Sequence, residues 1–248
     1  MSDGRMRVLA IDAGNSRIKW GLAENGTWLR QSWIPTQEAD SLGATWGRLP
    51  APQAVIAANV AGDQVERALA AAARRLHRRI RFVRAAASQC GVRSSYEDPE
   101  QLGADRWAAL IGAWHLYRGP SVVVGAGTTM TVDALTSDGV FLGGMIVAGM
   151  DLMREALARG TAGLNAETGQ FAFFPACTAD AIESGALNAL AGAVERMLRY
   201  LREAGQAASL IVLSGGAAPQ LAPQLNGGVE VVDNLVLEGL IRMALEKE

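Results

Sequence analysis

The sequence predicts an α/β chain of two stacked halves, and three observations point to it. Three consecutive strand signals joined by tight turns, followed by alternating helix and strand, occur twice along the 248 residues. Each triplet opens with an apolar run that ends in a glycine turn. The first is Val8-Leu9-Ala10-Ile11 before Asp12-Ala13-Gly14-Asn15-Ser16; the second is Ser121-Val122-Val123-Val124 before Gly125-Ala126-Gly127-Thr128-Thr129. The halves share almost no sequence identity, so what repeats is topology and not residues. No Pro/Ser linker separates them, and the boundary is placed near Gly119-Pro120, giving halves 1–118 and 119–248.

Residues 6–12, 16–23 and 27–34 read as strands, the last two joined by Asn25-Gly26, a hairpin signal. Segment 36–47 reads as a short helix capped by Thr36 or another polar residue, and 54–58 as a strand with apolar side chains throughout. An alanine-rich helix is expected over 63–79, with Val65, Leu69, Ala72 and Leu76 on its apolar stripe, followed by a strand at 80–83. Residues 84–99 are polar and irregular, which suits a substrate loop. The spacing of Leu102, Trp107, Leu110, Ile111 and Trp114 predicts a helix over 101–117. Strands follow at 121–126, 129–135 and 139–147, then helices at about 149–159 and 178–204. A strand at 209–213, a glycine turn, a strand at 229–232 and a helix over 234–246 complete the chain.

Composition narrows the function classes. Half the residues are apolar and 19% are charged, so a large core can form. A net charge of −2 offers no general attraction to nucleic acid or to an anionic membrane. The longest apolar stretches are broken by Asp133 or Asp151 and by glycines, short of the ~18 residues of a membrane span. The apolar run after Arg5 and Arg7 stops at Asp12, too short for a signal peptide, and a cytoplasmic location is expected. Cys90 and Cys177 form no C-x-x-C pair and are expected to be small buried thiols. The six tryptophans are expected in the core and on strand faces. Arg74, Arg75, His77, Arg78, Arg79 and Arg81 read as cations offsetting a helix C-terminus, ahead of a nucleic-acid patch.

A strand that ends in a glycine turn and doubles back exposes backbone N–H groups and hydroxyls at its tip. Such groups can surround a polyphosphate, because glycine lets the main chain approach closely. The two turns therefore read as halves of one phosphate clamp, with a nucleotide cleft between the halves of the chain. Asp12 can hold the Mg²⁺ that accompanies ATP, and Lys19 can reach phosphate as a point charge. Gly127, Thr128, Thr129 and Thr131 offer amides and hydroxyls in the second turn, though threonine is also a good strand residue. Ser214-Gly215-Gly216-Ala217 is a weaker candidate for admitting a flat base or ribose. Asp105 stands near the start of a helix, where the dipole favours its ionised form, and it could take the proton of an attacking hydroxyl. Helix-entry charge and a solvent salt bridge to Arg106 is the competing reading.

Taken in order, these motifs resemble type III pantothenate kinase over nearly the whole chain. The D-x-G-N-[ST] turn is matched by Asp12 to Ser16. Tyr96 with Gln101-Leu102-Gly103-Ala104-Asp105-Arg106 matches the most specific block. A D-x-G-T-x-x-T-x-D strand is matched by Gly127, Thr128, Thr131 and Asp133, and G-G-x-I-x-x-G by Gly143 to Gly149. An R-x-T-A-x-L segment is matched loosely by Arg159 to Leu164, and T-x-x-A-I-x-x-G by Thr178 to Gly185.

The resemblance implies two ribonuclease-H-like halves of the actin-like ATPase superfamily. It implies transfer of phosphate from ATP to pantothenate, the first step towards coenzyme A. ATP would be contacted by Asp12, Ala13, Gly14, Asn15, Ser16, Arg17, Ile18, Lys19 and Thr128, with Mg²⁺ at Asp12. Pantothenate would be held by Tyr96, Gly103, Ala104, Asp105 and Arg106, with Asp105 as base. Thr178 would come from the second copy of a homodimer. Gly125 replaces the family aspartate associated with a monovalent cation (K⁺ or NH₄⁺), which takes the carboxylate from that site. Two other readings remain open on the sequence: a non-catalytic transcriptional accessory factor on the same fold, or another kinase or phosphohydrolase of the superfamily.

Overall fold

The structure, a computed structural model, describes residues 6–161 and 168–246. It divides into two compact units, Met1–Arg118 with Asn234–Glu248, and Gly119–Asp233.

In the first unit, β1 (Arg7–Ala13), β2 (Arg17–Glu24) and β3 (Thr27–Pro35) form an antiparallel meander. Asn25 and Gly26 turn between β2 and β3 at φ 51° and 84°, the mirror-image turn whose twist matches that of the strands. A 3₁₀ turn at Thr36–Ser41 leads into α1 (Leu42–Trp46). Next, β4 (Ala54–Asn59) runs parallel beside β1, α2 (Asp63–Arg75) crosses back, and β5 (Ile80–Phe82) runs parallel beside β4. The strand order is β3-β2-β1-β4-β5, with Leu9, Ile11, Trp20, Leu22, Trp46 and Leu69 in the core beneath α1 and α2. Both faces of β1 are buried, so its run of four apolar residues makes it the centre of the sheet.

The chain then forms a small hairpin, β6 (Ser88–Gln89) with β7 (Val92–Ser94), before α3 (Ala104–Tyr117). In the second unit, β8 (Ser121–Ala126), β9 (Thr129–Leu135) and β10 (Val140–Ala148) repeat the meander. They are followed by α4 (Met150–Gly160), α5 (Thr178–Glu203), β11 (Leu210–Ser214), α6 (Ala218–Leu221) and β12 (Gly228–Val231). The strands of this unit run in the order β12-β11-β8-β9-β10. Leu187, Leu190, Val194, Met197, Leu198 and Leu201 of α5 cover Val122, Val124, Met130 and Val132 of β8 and β9. Their spacing of three and four residues is one helix face.

The last helix, α7 (Leu235–Leu245), returns to the first unit and packs on α3, β1 and β4. Its contact with α3 is made by glycines. A Cβ on Gly239 would stand 1.8 Å from the Ala108 carbonyl oxygen, and one on Gly112 would stand 2.5 Å from that of Leu235. The two backbones therefore touch, and α7 fixes the helix that carries Asp105.

Several elements differ from the sequence reading. Helix α2 stops at Arg75 instead of 79, because His77 adopts φ 55° and Arg78 turns aside to donate from Nε to the Pro52 carbonyl. Helix α3 starts at Ala104 instead of 101; Pro99–Gln101 forms its own turn, capped by Asp98 accepting from the Glu100 N–H. The hairpin at 88–94 lies in a segment read as irregular, turning through Cys90 at φ 50° and Gly91 at φ 83°. The cysteines are not buried as expected: Cys90 is half-buried and Cys177 exposed. Trp33, on a strand face as expected, is 51% exposed, with the Arg17 guanidinium 4.4 Å from its ring centroid.

Candidate active site

Asp12 ends β1 with its carboxylate half-buried, and in register across β2 stands Lys19. Burial pushes the Asp12 carboxyl from 3.8 up to about 7; the Lys19 ammonium opposes the rise, and the charge of Asp105 adds to it. Two carboxylates that the sequence holds 93 residues apart thus feel each other within one unit. Parallel pairing explains part of this. Asp12 lies beside Ala58 at the C-terminal end of β4, and Val60 just beyond sits 4.0 Å from a Cβ built on Gly103.

The turn after Asp12 is held from behind. Gly14 N–H donates to the Arg17 carbonyl, and the Val60 N–H to that of Ala13. Thr36 makes two bonds to this turn: its Oγ1 donates to the Gly14 carbonyl at 2.7 Å and its N–H to the Ser16 carbonyl at 3.1 Å. Four carbonyls of the turn and its flanks are thereby engaged, while Asn15 and Ser16 are exposed at the tip. Thr36, one candidate for a helix cap, makes no cap bond and is a positioning residue for the turn. An Ile-Pro-Thr stretch after a strand carries no signal for that role. Of the other residues expected at ATP, Gly14 is half-buried and Arg17 is exposed over Trp33. Ala13 and Ile18 are wholly buried, so only their main chain is available to a ligand.

Gly103 caps α3, and a Cβ there would lie 2.6 Å from Asp105 Oδ1. The glycine leaves room for the carboxylate to fold over the helix start, where Oδ1 accepts the Arg106 N–H at 2.8 Å. Ala104 and Asp105 are half-buried. Arg106 is buried, 7% exposed. Tyr96 is half-buried just past β7, its N–H on Ser94 Oγ at 3.3 Å.

In the second unit, Thr128 is exposed at the tip between β8 and β9. Two other glycines hold this turn by backbone approach. A Cβ on Gly149 would stand 2.3 Å from the Gly127 carbonyl, and one on Gly215 would stand 2.3 Å from that of Ala126. The Gly149 N–H donates to the Thr128 carbonyl, and the Ala217 N–H to that of Ala126. Gly215, read from sequence as a place for a base or ribose, is thus needed for packing, whereas Gly216 faces open space. Gly125 pairs with Thr131, whose Oγ1 is 2.9 Å from where a side chain at 125 would begin.

A sequence profile of type III pantothenate kinase matches residues 8–200. The type III pantothenate kinase of Nitrosospira multiformis is 46% identical over 239 residues, covering 96% of this chain and 91% of that one. The chain belongs to the type III pantothenate kinase family. A second member, from Aromatoleum aromaticum, is 47% identical over 239 residues, with 96% and 98% of the two chains covered. Among solved structures, a candidate 2-dehydro-3-deoxygalactonokinase from Sinorhizobium meliloti superposes with TM-score 0.63 at 21% identity, covering 96% and 98% of the two chains. At that identity the likeness is one of fold, that of the actin-like ATPases and sugar kinases.

Thr178, expected from the family to reach a partner's substrate, is exposed as the first residue of α5. The nearby Phe173 and Phe174 are 87% and 95% exposed. Helix α5 is tied to α4 by Arg154, which donates to the buried Glu183 at 3.0 Å and also pairs with Asp151. The R-x-T-A-x-L match runs beyond Thr161 into residues outside those described. Among the described residues no group of three or more His, Cys, Asp or Glu gathers as a metal cluster, and no helix is long and apolar enough to cross a membrane.

Proposed function

We infer that this family member transfers the γ-phosphoryl group of ATP to the primary hydroxyl of pantothenate, giving 4′-phosphopantothenate and ADP at the entry to coenzyme A synthesis. The observation that supports this reading is that Asp12 and Asp105 lie in the same unit and that the charge of Asp105 adds to the raised proton affinity of Asp12; in this reading Asp12 holds the metal and Asp105 is the base. Asp105 at the N-terminus of α3 accepts the hydroxyl proton as that oxygen bonds to the γ-phosphorus and the bond to ADP breaks. Tyr96, Gly103, Ala104 and Arg106 position pantothenate around it. The exposed tip at Asn15 and Ser16, with Lys19 behind it, binds phosphate oxygens, and Thr128 contributes from the second turn.

Asp12 fits Mg²⁺: a divalent ion would discharge its half-buried carboxylate, whose proton affinity is raised. When bound, Mg²⁺ neutralises charge on the transferred group. A carboxylate-held monovalent cation does not fit, because position 125 has no side chain and Thr131 Oγ1 faces the gap. No step is derived through such an ion. The exposed Phe173 and Phe174 beside Thr178, with Ile146 62% exposed on β10, support a homodimer in which Thr178 serves the partner's substrate. Neither nucleic acid nor membrane has a part in this reading, and the enzyme works in the cytoplasm.

A coupled assay for ADP, run with and without pantothenate and with and without K⁺, tests this. ADP release that requires pantothenate and is unchanged by K⁺ is expected. Release independent of pantothenate would remove the assignment, and activation of about tenfold or more by K⁺ would remove the reading of Gly125.

A further inference from the structure

Between Arg67 and Arg84 the chain carries seven arginines, one histidine and no acid. Since the formal net charge is −2, everything outside that stretch carries −9. Offsetting the dipole of α2 needs only the cations in its last turn, which are Arg74 and Arg75. Of the others, Arg78 and Arg81 donate to the carbonyls of Pro52 and Met243 and Arg84 pairs with Glu100, while Arg74 and Arg75 also face solvent.

Part of this charge surrounds a concavity of about 390 Å³ lined by Ala70, Arg74, Arg78, Arg79, Ile80 and Phe82. Arg78 is fixed there, since its Nε donates to the Pro52 carbonyl and Nη1 to that of His77. Arg74 and Arg79 are exposed, and among the described residues their guanidinium groups have no carboxylate partner. The floor is apolar: Ile80 and Phe82 of the edge strand β5 are half-buried against the core.

The place in the fold separates this concavity from the phosphate turn. Ile80 lies beside Val55, which lies beside Leu9 near the start of β1, whereas Asp12 lies at the far end of that strand. Three residues along the strand and two strands across put the two points roughly 13 Å apart on the same sheet.

We propose that this concavity is a second ligand site, taking a phosphate ester with a flat apolar body such as a nucleoside diphosphate. Guanidinium forks match phosphate oxygens, and Phe82, Ile80 and Ala70 supply the surface against which a base lies. The volume is at the small-ligand end of the range for such sites, and a concave apolar floor suits a small molecule better than the face of an acidic protein. The proposal is independent of which hydroxyl compound the enzyme phosphorylates.

The test is NMR of the arginine Nε–Hε signals and of the Phe82 ring in the full chain, titrated with ADP and separately with inorganic phosphate. ADP is expected to move Arg74, Arg79 and Phe82 together, saturating on the order of 1 mM or below. Inorganic phosphate is expected to move the two arginines alone, and more weakly. The variant carrying Arg74→Ala and Arg79→Ala, both at exposed positions, should lose about tenfold or more in ADP affinity here. In that variant the amide shifts of Asn15 and Ser16 on adding ADP should persist.

Arginine and Phe82 signals that stay still while Asn15 and Ser16 respond would overturn the proposal. So would phosphate binding as tightly as ADP, or a poly-glutamate peptide displacing ADP at lower concentration, which would make the surface one for acidic protein.

Discussion

Replacing Asp12 by Asn separates what this carboxylate costs the fold from what it supplies to the reaction. The folded carboxyl titrates at about 7 against 3.8 ordinarily, so the folded chain holds a proton that the unfolded chain releases between those values. Stability from this group is complete below 3.8 and is lost as pH rises through about 7. Three pH units correspond to about 4 kcal/mol, reduced to about 2–4 kcal/mol because the residue is only half-buried.

Asn has the same shape and no charge, and its amide gives back about 1 kcal/mol in imperfect hydrogen bonding. The variant should therefore be more stable than the parent by about 1–3 kcal/mol at pH 8 without ligand. That raises the melting temperature by about 2–8 °C for a chain of this size. The advantage shrinks on acidification and is gone near pH 4. With Mg²⁺ and ATP the order reverses, because only the parent gains stability from the ligand, and its gain grows as pH rises through about 7. Calorimetry at several pH values with and without MgATP reads all of this. A variant less stable than the parent at pH 8, or an advantage that does not vary with pH, would refute the electrostatic reasoning.

Thr36→Val removes the bond to the Gly14 carbonyl but keeps the main-chain bond to Ser16. It should raise KM for ATP several-fold with little change in kcat, and Thr36→Ser should restore it; equal kinetics in all three proteins would show that the turn holds itself. Gly149→Ala puts a methyl 2.3 Å from the Gly127 carbonyl and should cost several kcal/mol by chemical denaturation, whereas Gly216→Ala, with nothing within 4 Å, should be neutral within about 0.5 kcal/mol. Glu183→Gln leaves Arg154 without its buried partner and should cost about 3 kcal/mol, measured the same way at pH 7.

The strands of both meanders were legible because each couples an apolar run to turn residues with one conformational use, as at Asn25-Gly26. The family, and with it the doubled fold, was legible from Asp12 to Ser16 and from Gln101 to Arg106. What could not be read depends on partners distant in sequence. His77 ends α2 two residues after Arg75, though the arginine run continues with no change in propensity that would mark the stop. The Cys90-Gly91 hairpin uses a left-handed cysteine, a residue with no turn preference. Thr36 holds the turn at Gly14 and Ser16, 20 or more residues away, and the glycines at 149, 215 and 239 are explained by carbonyls they approach in space. Asp12 carries an ordinary turn signature, and only its burial near Asp105 raises its proton affinity.

The proposed mechanism takes Asp105 as the acceptor of the hydroxyl proton, and Asp105→Asn tests that directly when ADP formation and ATP binding are measured on the same preparation. Pantothenate-dependent turnover should fall by roughly 10²–10⁴ while ATP binds as before. Turnover within a few-fold of the parent would contradict it.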